Sequence, residues 1–231
     1  MKTKLLLILI AVIPFCLLGE DFSDIRPSKA TLSMKEGDME VLMTKQDGNT
    51  WEIKSFVKGG RIFEREEIST FELNKNTLIP LTHKIRMRIF FKKIKANSLF
   101  NWEDKKIYFS EGKEKGSVDL LEGTQGPSTI QLKMRLDLRN LNPESLPKKI
   151  NYLVFFRGEI KNRTYNIEGF ENIKTPMGEY KTLKLSREFL PGDDREQIYW
   201  FAPQLDFTLV RILNSGERRS DLALKSFEFL D

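Results

Sequence analysis

Histidine and cysteine are almost missing from this chain, and their scarcity removes whole classes of chemistry. His83 is the one histidine and Cys16 the one cysteine. A histidine-rich zinc site cannot be built from a single imidazole, and a Ser-His-Asp triad would have to take His83 as its base. His83 stands beside Lys84 with no nucleophile-elbow motif nearby, so a plain surface histidine is expected. Neither a phosphate-cradling loop nor a dinucleotide fingerprint occurs. Carboxylates remain, and "PGDDREQ" offers Asp193 and Asp194, but Asp after Pro-Gly is ordinary turn chemistry. The expectation is a protein without catalytic residues, metal site or cofactor. A carboxylate-based hydrolase is the distant alternative.

The first residues explain where the cysteine goes. "MKTKLLLILIAVIPFCLLGED" opens with Lys2 and Lys4, runs without charge from Leu5 to Leu18, and meets Gly19, Glu20 and Asp21. That run is too short to cross a ~30 Å hydrocarbon core comfortably, and Pro14 interrupts it. A basic start, a short apolar stretch and a small residue before an acidic segment describe a secretory signal peptide over residues 1–19, cut after Gly19. Leu17 is bulky for its place before the cut. A lipid attached at Cys16 is disfavoured by Phe15, which stands where a small residue is wanted.

Cutting there removes Cys16, so the product has no disulfide, thiolate nucleophile or Cys metal site. The leader holds two lysines and no acid, so 38 Lys and Arg fall to 36 against 33 Asp and Glu, a net +3 in place of +5. Near balance gives no reason to invoke nucleic acid. Residues 20–231 are expected to form a single soluble, exported domain, large enough to stand on its own core.

Alternation dominates the body of the chain. Met39, Val41 and Met43 share one face, and after "DGN" at Asp47–Asn49 so do Trp51, Ile53 and Val57. Period-2 patterning on both sides of an Asp-Gly turn marks a hairpin. "THKIRMRI" alternates Ile85, Met87 and Ile89 with Lys84, Arg86 and Arg88. "KKINYLVFF" is apolar on both faces, as a central strand would be. "GEYKTLKLSREF", "REQIYWFA", "DFTLVRI" and "DLALKSFEFL" continue the pattern, with Gly and Pro turns between. Many short strands without intervening helices imply an antiparallel all-β domain. "GPSTIQLKMRLDLRNLNPESLP" is the exception. Ile130, Leu132, Met134, Leu136 and Leu138 alternate as a strand would, yet Ile130, Met134, Leu138 and Leu141 also line one helical face. Pro127 suits a first helical turn and the interior is rich in helix formers, so a helix over 127–140 is expected, with Ile130, Met134 and Leu138 against the sheet.

"FNWEDKKIYF" (Phe100 to Phe109), "EGTQGPSTIQLKMRLDL", "IKTPMGEYKTLKLSR" (Ile173 to Arg187) and "YWFAPQLDFTLVRI" occur in an order and spacing that resemble the domain of unknown function 3108 family of exported Gram-negative bacterial proteins. The resemblance runs from about Ala30 to Phe229. It departs at Gly126, where the family usually has Asp, and at Leu209, where it usually has Pro. It implies a long antiparallel sheet curled into an incomplete barrel, similar to lipoprotein and lipid carriers of the periplasm; the helix, apolar on more than one side, is expected on the concave side of such a sheet. It implies no reaction.

Two sets of residues are candidates for binding. Trp51, Trp102, Phe155, Trp200 and Phe207 fall in strand-like segments, and sheet packing or the wall of an apolar cavity would use them equally well. Lys84, Arg86, Arg88, Lys92 and Lys93 form a basic strip. Glu64, Glu66 and Glu72 on the preceding strand would neutralise part of it if those strands pair. The strip otherwise suits an anionic envelope partner, such as lipid head groups or an acidic polysaccharide. The function expected is therefore non-catalytic, binding or scaffolding an envelope component in the periplasm. Carriage of a lipid or lipoprotein acyl chain in a cavity under the sheet is the alternative.

Overall fold

The computed structural model describes residues 25–35, 37–60, 62–74, 77–189, 195–216 and 219–230. The leader with Cys16, the cut after Gly19 and the pair Asp193 and Asp194 lie outside them. Eight strands come first: β1 (Ser28–Met34), β2 (Gly37–Lys45), β3 (Thr50–Gly59), β4 (Phe63–Asn74), β5 (Thr77–Ile89), β6 (Lys92–Asn101), β7 (Lys106–Glu111) and β8 (Glu114–Asp119). Helix α1 (Thr129–Arg139) follows. Six more strands complete the chain: β9 (Lys149–Phe156), β10 (Glu159–Thr175), β11 (Gly178–Arg187), β12 (Arg195–Ala202), β13 (Thr208–Gly216) and β14 (Ser220–Phe229).

All fourteen strands belong to one antiparallel sheet in the order β8-β7-β6-β5-β4-β3-β2-β1-β14-β13-β12-β11-β10-β9. Each strand pairs with its sequence neighbour except across α1, and β1 joins β14 to weld the two runs together. The Asp-Gly hairpin forms as its sequence predicts, with Met39 opposite Val57 and Met43 opposite Ile53. Gly48 takes the left-handed φ of 62° that the turn needs. Outward positions of β4, β5 and β6 carry Glu64, Glu66, Lys84, Arg86, Arg88, Lys93 and Lys95. A membrane-spanning barrel would carry an apolar band there.

The edges of the sheet are β8 and β9, so the barrel does not close by strand pairing. The edge position of β9 corrects the expectation that "KKINYLVFF" is a central strand. Its two apolar faces have another cause, because Tyr152 packs into the largest cluster and Phe155, on the other face, into a cluster at the seam, where the segment before α1 pairs with the free edge. The Gln125 amide donates to the Leu153 carbonyl at 2.8 Å, and Phe155 donates back to Gln125 at 2.9 Å. The Gln125 side-chain amide reaches across to the Leu78 carbonyl of β5 at 3.3 Å. Phe155 then stacks edge-to-face on Phe100 of β6, with ring centroids 5.9 Å apart. The "EGTQGP" stretch thus fills the seam, and Gly126 lets the Phe100 ring lie 3.4 Å from where a Cβ would stand.

Helix α1 runs along the concave side and resolves the ambiguity of its sequence. Strict alternation on a helix yields two i, i+4 stripes on roughly opposite sides. Ile130, Met134 and Leu138 pack into a cluster with Leu185, Phe201, Val210 and Leu224 from the second run of strands. Leu132 and Leu136 pack into another with Trp51, Phe71, Leu73 and Leu78 from the first. A helix apolar on both sides is what a curled sheet wrapping it from two directions demands.

Candidate functional site

The five aromatic candidates do not line one cavity. Trp51 is buried in the cluster under Leu132 and Leu136. Trp102 and Phe155 belong to the seam cluster, where the Trp102 indole N–H donates to the Pro80 carbonyl at 2.8 Å. Trp200 pairs with Lys184 and Arg211, on the opposite strand face from Tyr199 and Phe201. Its indole N–H donates to the Glu171 carboxylate, and the Arg211 guanidinium lies 5.3 Å from its ring centroid. Phe207 is half-buried against the largest cluster, at a left-handed φ of 53°.

The corner before Phe207 is a joint between the sheet and α1. After Pro203–Leu205 forms one 3-10 turn, Asp206 also adopts a left-handed φ, 55°. Its carboxylate takes Arg135 Nη2 at 2.7 Å and Arg139 Nε at 2.9 Å, and its carbonyl takes Arg135 Nε at 2.8 Å. The Arg135 side chain is only 8% exposed. Burial draws its pKa below the ordinary arginine value, and Asp206 opposes that shift. Two helix arginines thus tie the β12–β13 corner to α1 through one carboxylate.

His83 is a correction to the surface reading. Register places it inward, opposite Ser69 and Ser98, and it is 5% exposed. Its Nδ1 lies 2.8 Å from Ser69 Oγ, and its Nε2 lies 3.6 Å from a Glu67 oxygen without a hydrogen bond. Glu67 also accepts the hydroxyl of Ser128 at the start of α1 at 2.8 Å and pairs with Arg65. Burial holds the imidazole below its ordinary pKa, against the pull of Glu67. Alternation could have signalled this, since His83 shares the parity of Ile85 and Met87 while Lys84 points the other way. No group of three His, Cys, Asp or Glu among the described residues could hold a metal ion.

Sequence reasoning also missed a groove of 480 Å³ lined by β1, β13, β14 and the end of β10. Its residues come from four separate stretches of chain, so no local pattern announces it. Arg211 and Asp221 are locked together there at 2.9 and 2.7 Å, which raises the pKa of the arginine and lowers that of the carboxylate. Lys35, Lys174 and Arg219 complete the polar rim. This lining is not the apolar wall of a lipid carrier.

Strand pairing brings Lys84, Arg86, Arg88 and Lys93 of the basic strip onto the outer face of β5 and β6, whereas Lys92 stands opposite Ile89 with the parity of Ile94. Register sets Glu64 opposite Arg88 and Glu66 opposite Arg86. Arg88 meets Glu64 at 2.7 Å, while Glu66 takes Arg86 at 3.5 Å and Lys54 at 2.9 Å. The hydrogen bond from Lys54 holds the Glu66 carboxyl below its usual pKa. Glu72 lies farther along β4, opposite Ile79. Across the next ladder Arg88 faces Lys93, and Arg86 faces Lys95. Like charges directly opposite repel, so this ladder concentrates positive potential at a cost to its own stability. No described carboxylate lies within ion-pair distance of Lys84, Lys92, Lys93 or Lys95.

The model of the family described as "Protein of unknown function (DUF3108)" matches residues 27–222. The chain belongs to the DUF3108 family. The DUF3108 match takes in β1 through β13, α1 and the seam, so the resemblance carried by "EGTQGP" and "YWFAPQLDFTLVRI" rests on joints of the fold. No curated protein matches the chain. Among solved structures it is similar to the crystal structure of a beta-barrel-like protein of domain of unknown function DUF1849 from Brucella abortus. The two are 11% identical with a TM-score of 0.55, over 89% of this chain and 98% of that one. At that identity the likeness speaks for the fold alone, an open barrel-like sheet. No helix among the described residues is long and apolar enough to cross a membrane.

Proposed function

We propose that this protein is exported to the periplasm and binds or scaffolds an anionic component of the cell envelope, without catalysing a reaction, through the outer face of β5 and β6. One observation carries the reading. Residues 82–97 contain six Lys and Arg and no Asp or Glu, and among the described residues only Arg86 and Arg88 of the six pair with carboxylates. The sequence of residues 1–19 supports export, and intact mass of the mature product checks that part. Carriage of a lipid or lipoprotein acyl chain in a cavity under the sheet has less support. Helix α1 occupies the concave side, and the candidate aromatics are divided among three packed clusters.

Retention on vesicles containing phosphatidylglycerol and on a charged polysaccharide resin tests the reading. Binding to at least one is expected, and it should weaken steeply as salt screens the exposed lysines. Absence of salt-sensitive binding to either surface would rule out an anionic partner.

A further inference from the structure

The hairpin joining β5 to β6 ends in apolar side chains that are exposed among the described residues. Phe90 is 61% exposed and Phe91 99%, and Ile89 beside them is exposed too. The adjoining β3–β4 turn adds Ile62, 52% exposed, whose carbonyl accepts the Phe90 amide at 2.7 Å. Phe90 holds a left-handed φ of 52°, a conformation that Asn or Gly adopts more readily than an aromatic. Phenylalanine here brings neither burial nor backbone ease.

In an antiparallel meander alternate strand ends fall at one rim, so the C-terminal ends of β9 and β11 reach the same rim. Exposed Phe156 and Phe189 stand at or just past those two ends. Ile62, Ile89, Phe90 and Phe91 gathered at one corner form exposed apolar surface of the kind that marks a contact site.

The charges around the tip decide what it contacts. Arg88, Lys92 and Lys93 flank Ile89–Phe91 in sequence and are exposed, with Arg86 and Lys95 one step behind. We propose that this tip docks on an anionic phospholipid bilayer, with Phe90 and Phe91 entering the boundary between headgroups and acyl chains. Arg88, Lys92 and Lys93 stay at the level of the lipid phosphates. Aromatic rings suit that boundary, and long cationic side chains can lay their stems along it while their charges remain in water. An acidic polysaccharide would use the cations but leave the protruding rings in water. The inference rests on the anionic-partner reading above and names its partner.

The processed chain has no cysteine, so Phe91→Cys gives one attachment point for an environment-sensitive dye. On phosphatidylglycerol vesicles the dye should shift to the blue and be quenched by lipids brominated on their acyl chains. Vesicles of phosphatidylcholine alone should do neither. Phe90→Ser with Phe91→Ser should bind phosphatidylglycerol vesicles about tenfold more weakly, as expected for lost apolar burial, with an unchanged unfolding midpoint. Its salt-sensitive retention on a charged polysaccharide should persist if the wild type shows any. If the labelled Phe91→Cys protein binds anionic vesicles with no blue shift or quenching, or the serine pair binds as well as wild type, insertion is overturned and the electrostatic reading stands. An equal shift on neutral vesicles overturns the charge requirement. Absence of binding to every anionic surface removes both.

Discussion

Asp206 carries more than its size suggests. It is the anion against which Arg135 and Arg139 are held, and Arg135 is buried. Removing one partner of a buried pair leaves the other charge uncompensated, at a cost of about 3–5 kcal/mol. Asp206→Ala should therefore lower stability by that order in denaturant unfolding; a change within ~0.5 kcal/mol would show that the joint is dispensable. His83 yields a prediction in a separate window. Burial holds its folded pKa below the unfolded value of ~6.5, so the unfolded chain takes up the proton first as pH falls. The stability held above pH ~6.5 is lost as pH drops through the folded value. The chain has no second histidine, and the lowered carboxyls of Glu66, Glu168 and Asp221 lose their contributions only at more acidic pH. The unfolding midpoint should fall between neutral and mildly acid pH in the wild type and stay nearly flat there in His83→Gln. Equal slopes would contradict the assignment.

Helix α1 shows how far local pattern reaches. Its five alternating apolar residues fit a strand by periodicity, whereas Pro127 and the Gln, Lys, Met and Arg interior favour a helix. The helix forms because each stripe has its own wall of sheet. Leu136, fully buried in the same cluster as Trp51 and Phe71 of the first run, is the sharpest probe. Leu136→Ala should cost about 2–5 kcal/mol in thermal or denaturant unfolding. A cost near zero would place a loosely filled hollow there instead of a packed layer. The same limit explains β9: two apolar faces look the same in sequence whether the cover is a neighbouring strand or the Gln125 segment. The hairpins were legible because their turn residues and parity are local. The β1–β14 weld, the seam and the polar groove were not, because residues far apart in sequence make them.

At the scale of the molecule, α1 and its two clusters take up the concave side of the described sheet, and the proposed partner is one met on the outer face and rim. The basic strip was legible as charge on alternate residues. The register added which cations are neutralised and which are not, something no composition can reveal. Lys84, Lys93 and Lys95 project from the outer face of β5 and β6 without carboxylate partners among the described residues. Each basic side chain near an anionic lipid surface contributes about 1 kcal/mol. Reversing all three to Glu therefore tests the central claim most directly, through vesicle partitioning at low salt with the unfolding midpoint as control. Affinity for phosphatidylglycerol vesicles should fall about a hundredfold or more with the fold intact. Unchanged affinity in a folded triple variant would contradict the claim that this face meets an anionic partner.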